Sequence, residues 1–141
     1  MSELHNPVVV DTNILFSALL RDSSPFVRLL FQSEYNFYIC EYVIVELFKH
    51  KDRLVKLSKL SEDELLRLLY RLLKRLTIYP ERLIPAKFVV EAQKLCAAVD
   101  TNDTIHVALT LAIDGRLWTG DRRLVYGLRP HGLDIFFAPS F

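Results

Sequence analysis

Apolar positions along the chain alternate between two periods, one of strands and one of helices. Val8, Val9 and Val10 form an uninterrupted β-branched run, the pattern of a short strand buried on both faces. Past the polar trio Asp11-Thr12-Asn13, the residues Ile14, Leu15, Ala18 and Leu19 recur at helical spacing. "SSPFVRLLFQSE" joins a Ser cap to an early Pro and an apolar face, which predicts a second helix. "NFYIC" predicts a strand, and "EYVIVELFKHKDRL" returns to helical spacing. "SEDELLRLLYRLLKRL", residues 61–76, opens with a capping box of Ser61 and Glu64. "TIYP" predicts a short strand stopped by Pro80, followed by a helix from about Pro85 to Val99 and the polar knot "DTND". The helix "TIHVALTLAI", a turn at Asp114-Gly115, the strand "RLWT", a short segment after Asp121 and a closing strand "DIFF" complete the pattern. Such alternation predicts an α/β sandwich around a mainly parallel sheet of about five short strands.

Composition narrows the class. Hydrophobic residues make up 51% and charged residues 25% of 141 residues, which implies a folded globular chain, read as one domain over residues 1–141. No apolar run approaches the ~20 residues of a membrane span, and "MSELHNP" lacks the basic and apolar regions of a signal peptide. Cys40 and Cys96 both stand in apolar settings and read as buried thiols. A cytoplasmic protein with no membrane partner is expected.

The net charge of +1 hides an asymmetry. Residues 49–94 carry twelve Lys and Arg against six acids, and the remainder carries six against eleven. A basic flank beside an acidic pocket suits a polyanion, although a solvated helical surface would look the same.

Four acids fall where chemistry is expected. Asp11 ends the first strand, Glu46 shares a helical face with Tyr42, Lys49, His50 and Arg53, Asp103 opens "DTIHVAL", and Asp121 follows "RLWT". Each has a plain structural reading as a helix cap, a turn residue or half of an i,i+3 pair. In a parallel sheet, however, all four approach one edge. Clustered carboxylates repel one another unless protons or cations intervene, and hard divalent ions such as Mg²⁺ take oxygen ligands. One or two such ions can activate water and hold a phosphodiester for in-line displacement. The basic flank would then hold a nucleic-acid backbone.

With "VVVDTN", "CEYVIVEL", "DTNDTIHVAL" and "LWTGD" in this order, the sequence resembles PIN-domain proteins, in particular the small ribonuclease toxins of the VapC type, from about Val8 to Phe137. The resemblance implies a PIN-like α/β/α sandwich and a Mg²⁺- or Mn²⁺-dependent endoribonuclease. It implies Asp11, Glu46 and Asp103 as core metal-binding acids, with Asp121 as a fourth. Thr12 or Asn13 would help orient Asp11, and Thr119 takes the hydroxyl position of a T-x-D signature. Asp100 could join Asp103 at the metal, and Glu41 could compete with Glu46. Tyr42, Lys49, Arg53, Arg122 and Arg123 are the candidates for RNA contacts. A cognate antitoxin and a homodimer are the implied partners, and the surplus of apolar residues in 61–76 (Leu66 and Tyr70 among them) would line the surface that receives one of them.

Competing readings are weaker. A haloacid-dehalogenase-type phosphatase needs D-x-D, whereas Asn13 occupies the second position, and a receiver domain needs an acidic pair at the first strand. A PIN-like module that binds RNA or protein without cutting would be expected to lose acids. His50 and His106 lie near the proposed acids, but a divalent ion can already supply the nucleophile, so neither is assigned as a general base.

Overall fold

Three consecutive valines form the centre of the sheet. β1 (Pro7–Val10) is buried along its whole length and pairs in parallel with β2 (Asn36–Cys40) on one side and β4 (Arg116–Trp118) on the other. β3 (Leu76–Tyr79) extends the sheet beyond β2, giving the order β3-β2-β1-β4 with every pairing parallel. A central parallel strand is covered on both faces, so its sequence carries no polar alternation. This computed structural model describes residues 7–32 and 34–139. Residues 1–6, on which the reading of the N-terminus rests, Ser33 of the second predicted helical stretch, and residues 140–141 lie outside the described residues.

The expected fifth strand is not formed. Of "DIFF", only Phe136 makes an isolated parallel bridge, to Leu117. Leu117 donates its N–H to Ile135 at 2.7 Å and accepts from Phe137 at 2.8 Å. β4 is only three residues long, and beyond Ala138 comes Pro139, which has no N–H to extend a ladder.

Helices fill the crossovers. α1 (Thr12–Leu19) and α2 (Pro25–Leu30) lead from β1 to β2, and α3 (Tyr42–Lys49), α4 (Lys51–Leu57) and α5 (Glu62–Leu73) lead to β3. α6 (Ala86–Cys96) and α7 (Thr104–Ala112) precede β4, and α8 (Arg122–Leu128) follows it. The stretch "EYVIVELFKHKDRL" is therefore two helices, separated at His50, whose φ of −106° and ψ of 19° leave the helical region. The capping box of α5 is formed: Ser61 Oγ accepts from Glu64 N–H at 3.2 Å and Glu64 accepts from Ser61 N–H at 3.1 Å.

The strand order has a consequence for function. β1, β2 and β3 add successively in one direction, and β4 returns to the far side of β1. Right-handed crossovers then put α1–α5 and α6–α7 on opposite faces. The packing agrees: α1 contacts α2, α3 and α5, whereas α7 lies across β1, β2 and β4 and carries α6. The crevice outside the carboxyl ends of β1 and β4 is thus a topological switch point, where open α/β sheets take their ligands.

One glycine is required by space. A Cβ on Gly115 would lie 2.8 Å from the Pro7 carbonyl oxygen, and the preceding Asp114 adopts a left-handed φ of 52°. This tight turn lets α7 feed β4 directly beside the start of β1. In α5, Leu65, Leu68 and Leu72 enter the core, while Leu66 and Tyr70 remain 54% and 62% exposed; Phe48 of α3 is 79% exposed. Cys40 and Cys96 are buried free thiols. Among the described residues, no helix is long and apolar enough to cross a membrane.

Candidate metal centre

The end of β1 is fastened to the end of β4 by Asp11. Its N–H donates to the Trp118 carbonyl at 3.1 Å. Its Oδ1 accepts from Ile14 N–H at 3.0 Å, so Asp11 does cap α1. Its Oδ2 accepts from the Thr119 hydroxyl, whose oxygen in turn accepts from Asp121 N–H at 3.0 Å. Asp11 is only 3% exposed. Burial pushes its carboxyl above the usual range, against the opposing pull of Thr119, the Ile14 N–H and His106. The cap and the cavity are served by one side chain.

The orienting residues differ from expectation. Thr12 turns its hydroxyl to Glu46 and donates at 2.6 Å, so it positions Glu46 and not Asp11. Asn13 is exposed and assists Asp11 through its backbone N–H. Among the described residues, Thr119 alone orients Asp11 by a side-chain hydroxyl.

Three further acids converge on the same cavity. Asp100 accepts from Asn102 N–H at 2.9 Å and begins the 3-10 turn that ends at Asp103. Asp121 caps α8, its Oδ1 accepting from Arg123 and Leu124 N–H groups at 3.0 and 3.2 Å. Carboxylate oxygens of Asp100, Asp103 and Asp121 lie within 4.8 Å of one another. Burial pushes Asp103 up to about 8, helped by its hydrogen bond with Asp121 and the charges of Asp121, Asp100 and Asp11. The same hydrogen bond, with the α8 N–H groups, holds Asp121 below the usual carboxylate range. Among the described residues Asp103 Oδ2 is buried with no hydrogen-bond partner. A crowded, all-oxygen donor set with an unsatisfied buried carboxylate oxygen suits a hard divalent cation.

Asp11, Glu46, Asp100, Asp103, His106 and Asp121 line one cavity of about 350 Å³. All four principal sequence candidates therefore meet, and Asp100 joins them. Glu41 is exposed and does not line the cavity.

The expected RNA-contact residues are less uniform. Tyr42 lines the cavity, and Lys49 Nζ donates to its hydroxyl at 3.2 Å while lying over its ring. Arg53 lines an adjoining cavity, Arg122 is exposed at the start of α8, and Arg123 donates to the Val99 carbonyl at 3.4 Å. His106 is buried at the cavity wall, and its Nδ1 has no partner among the described residues. Burial holds its imidazole below the usual value, opposed by Asp11, Glu46 and Glu81. His50 packs against Phe16 outside the acidic cavity.

Sequence reasoning misses Glu81. It follows β3 and accepts from Tyr42 N–H at 2.5 Å, fixing the first turn of α3 and with it the helix that carries Glu46. An acid just past "TIYP" is the signal that could have found it, since β3 ends at the same sheet edge.

Residues 9–135 match the sequence profile of the PIN domain. No curated protein sequence matches the chain. Among solved structures, the fold is similar to the crystal structure of VapBC2 from Rickettsia felis bound to a DNA fragment from their promoter, with a TM-score of 0.64 and 18% identity over 85% of this chain and 92% of that one. It is also similar to PAE2754 from Pyrobaculum aerophilum, with a TM-score of 0.62 and 15% identity over 88% of this chain and 81% of that one.

Proposed function

The chain belongs to the PIN-domain family, and from that premise we propose that it is a divalent-metal-dependent endoribonuclease hydrolysing RNA phosphodiester bonds. The observation that carries this reading is the convergence of five carboxylates on one cavity at the switch point of the sheet, one of them with a buried oxygen lacking a partner. Asp11, Asp103 and Glu46, with Asp121 and Asp100, are the residues that would hold Mg²⁺ or Mn²⁺. A divalent ion bound there supplies Lewis-acid stabilisation of the phosphodiester and a nucleophilic water at neutral pH.

The chain's own groups do the positioning. Thr119 keeps Asp11 facing the cavity, Thr12 does the same for Glu46, and Glu81 anchors the helix beneath Glu46. Tyr42 with Lys49, and the cations of Arg122 and Arg123, offer donors to the backbone of a single strand. A module that only binds would gain nothing from a buried carboxylate cluster and would bear its repulsion.

The similarity to VapBC2 further supports a toxin held by an antitoxin. The groove between α3, α4 and α5, about 240 Å³ and lined by Leu47, Phe48, Leu65, Leu66 and Leu69, suits the apolar face of a partner helix. A homodimer of the active chain is the second assembly in this reading. The test is cleavage of a single-stranded RNA and of the matching DNA in Mg²⁺. RNA cleavage abolished by chelator supports the reading; no cleavage, or cleavage in excess chelator, refutes it.

A further inference from the structure

A second cavity, of about 370 Å³, opens between α1 and the α3–α4 corner and shares Thr12, Asn13 and Glu46 with the acidic one. Its apolar lining comes from Leu20, Leu54 and the exposed Leu57. Phe16 and His50 add two ring surfaces, in edge contact with centroids 6.0 Å apart. Arg53 completes the wall, and among the described residues its guanidinium makes no hydrogen bond or ion pair.

We propose that this cavity is a base-binding subsite, which receives the nucleobase of a nucleotide adjoining the phosphate held at the acidic centre; the proposal rests on the nuclease reading. Four observations lead there. The volume falls in the ~300–1,000 Å³ range of sites that take small organic ligands. The cavity adjoins the acidic one across Thr12, Asn13 and Glu46, so a strand whose phosphate lies among the carboxylates can place a neighbouring nucleotide at its mouth. The lining combines apolar side chains, ring surfaces and an uncommitted guanidinium, the groups on which splayed-out bases of single-stranded RNA stack and hydrogen-bond. Charge then selects base over phosphate: the Glu46 carboxylate, tied at 2.6 Å to Thr12 on the partition between the cavities, disfavours a second anion beside it. Arg53 and His50 are thereby specificity-determining groups, outside the acidic cavity.

The break at His50 gives the site its shape. It ends α3 and turns the chain into α4, so that the His50 ring and the Arg53 side chain face the same opening as Phe16 of α1.

The test is fluorescence anisotropy with short labelled RNA strands in which each nucleotide in turn is made abasic. Asp11→Asn protein in Mg²⁺ is used so that strands stay intact, and wild-type cleavage is measured in parallel. One abasic position is expected to weaken binding about tenfold or more. His50→Ala and Arg53→Ala, both at exposed positions, should bring the intact strand down to the affinity of that abasic strand. A uniform response to all abasic positions, a penalty that survives both substitutions, or no strand binding at all would overturn the subsite. Cleavage by wild type with a uniform abasic response removes the subsite alone. A position-specific abasic penalty without cleavage upholds the subsite and removes the nuclease reading alone.

Discussion

Asp103 and Asp121 bring carboxylate oxygens within 4.8 Å of each other, and the more buried Asp103 is pushed up to about 8 while Asp121 is held below the usual carboxylate range. With Asp103 pushed up to about 8 from 3.8, its carboxyl holds more proton in the folded chain than in the unfolded one across that window. The Asp103 contribution to the stability of the metal-free protein therefore falls as pH rises from about 4 to about 8, whereas buried His106, held below its usual 6.5, contributes the opposite slope below about 6.5, so the net fall is expected from about 6.5 to about 8. Asp121, held below its usual value, contributes the opposite slope, but only at more acid pH. Thermal melts in chelator should show a Tm that declines toward alkaline pH. Added divalent cation should restore the Tm most strongly at the alkaline end, where Asp103 is ready to ligate, and Asp103→Asn should flatten the profile. A Tm that rises between about pH 6.5 and pH 8 would contradict the arrangement.

Thr119 is predicted to act through Asp11. Thr119→Val leaves the buried Asp11 Oδ2 without its donor, a loss of about 1–3 kcal/mol. Cleavage should fall further than stability alone accounts for, with kcat reduced more than KM is raised. Thr119→Ser retains the hydroxyl and should recover most of both.

How far the site is legible in the sequence follows from the range of each interaction. Asp11 is legible because the strand-to-helix switch after Val10 is local, and the same holds for Asp103 at the start of α7 and the Ser61–Glu64 capping box. The partnership of Thr12 with Glu46 and that of Tyr42 with Glu81 join separate crossovers. Side-chain periodicity carries no information about either, which is why the sequence alone sets Thr12 beside its neighbour Asp11. The Thr119–Asp11 hydrogen bond spans most of the chain, and only the resemblance to a T-x-D signature hints at Thr119. A fifth strand is expected because "DIFF" has strand composition, while its pairing depends on β4 being long enough to receive it.

The cations outside the cavity are expected to set affinity more than turnover. Lys49→Glu with Arg122→Glu should weaken binding of single-stranded RNA and flatten its log–log salt dependence by about 0.7 for each phosphate no longer neutralised. Turnover at saturating RNA should change less. An unaltered salt slope would return both to ordinary surface positions.

The apolar groove makes a separate prediction. Phe48→Asp and Leu66→Asp alter exposed positions, so stability should change little, by about 0.5 kcal/mol or less. Both should abolish self-association or capture of an amphipathic antitoxin helix, read by light scattering at several concentrations. Undiminished assembly by both variants would place the interface elsewhere.

The central claim is that Asp11 serves a metal-dependent cut and not merely the start of α1. Asp11→Asn separates the two roles, because Asn caps a helix about as well as Asp and its Oδ1 can keep the Ile14 N–H bond. The decisive measurement is the rate of Mg²⁺-dependent single-stranded RNA cleavage by wild type and Asp11→Asn, with Tm recorded for both. The account predicts a Tm equal to or above that of wild type, as one of several crowded charges is removed, together with cleavage reduced by orders of magnitude. An Asp11→Asn protein that cuts RNA at the wild-type rate would contradict it.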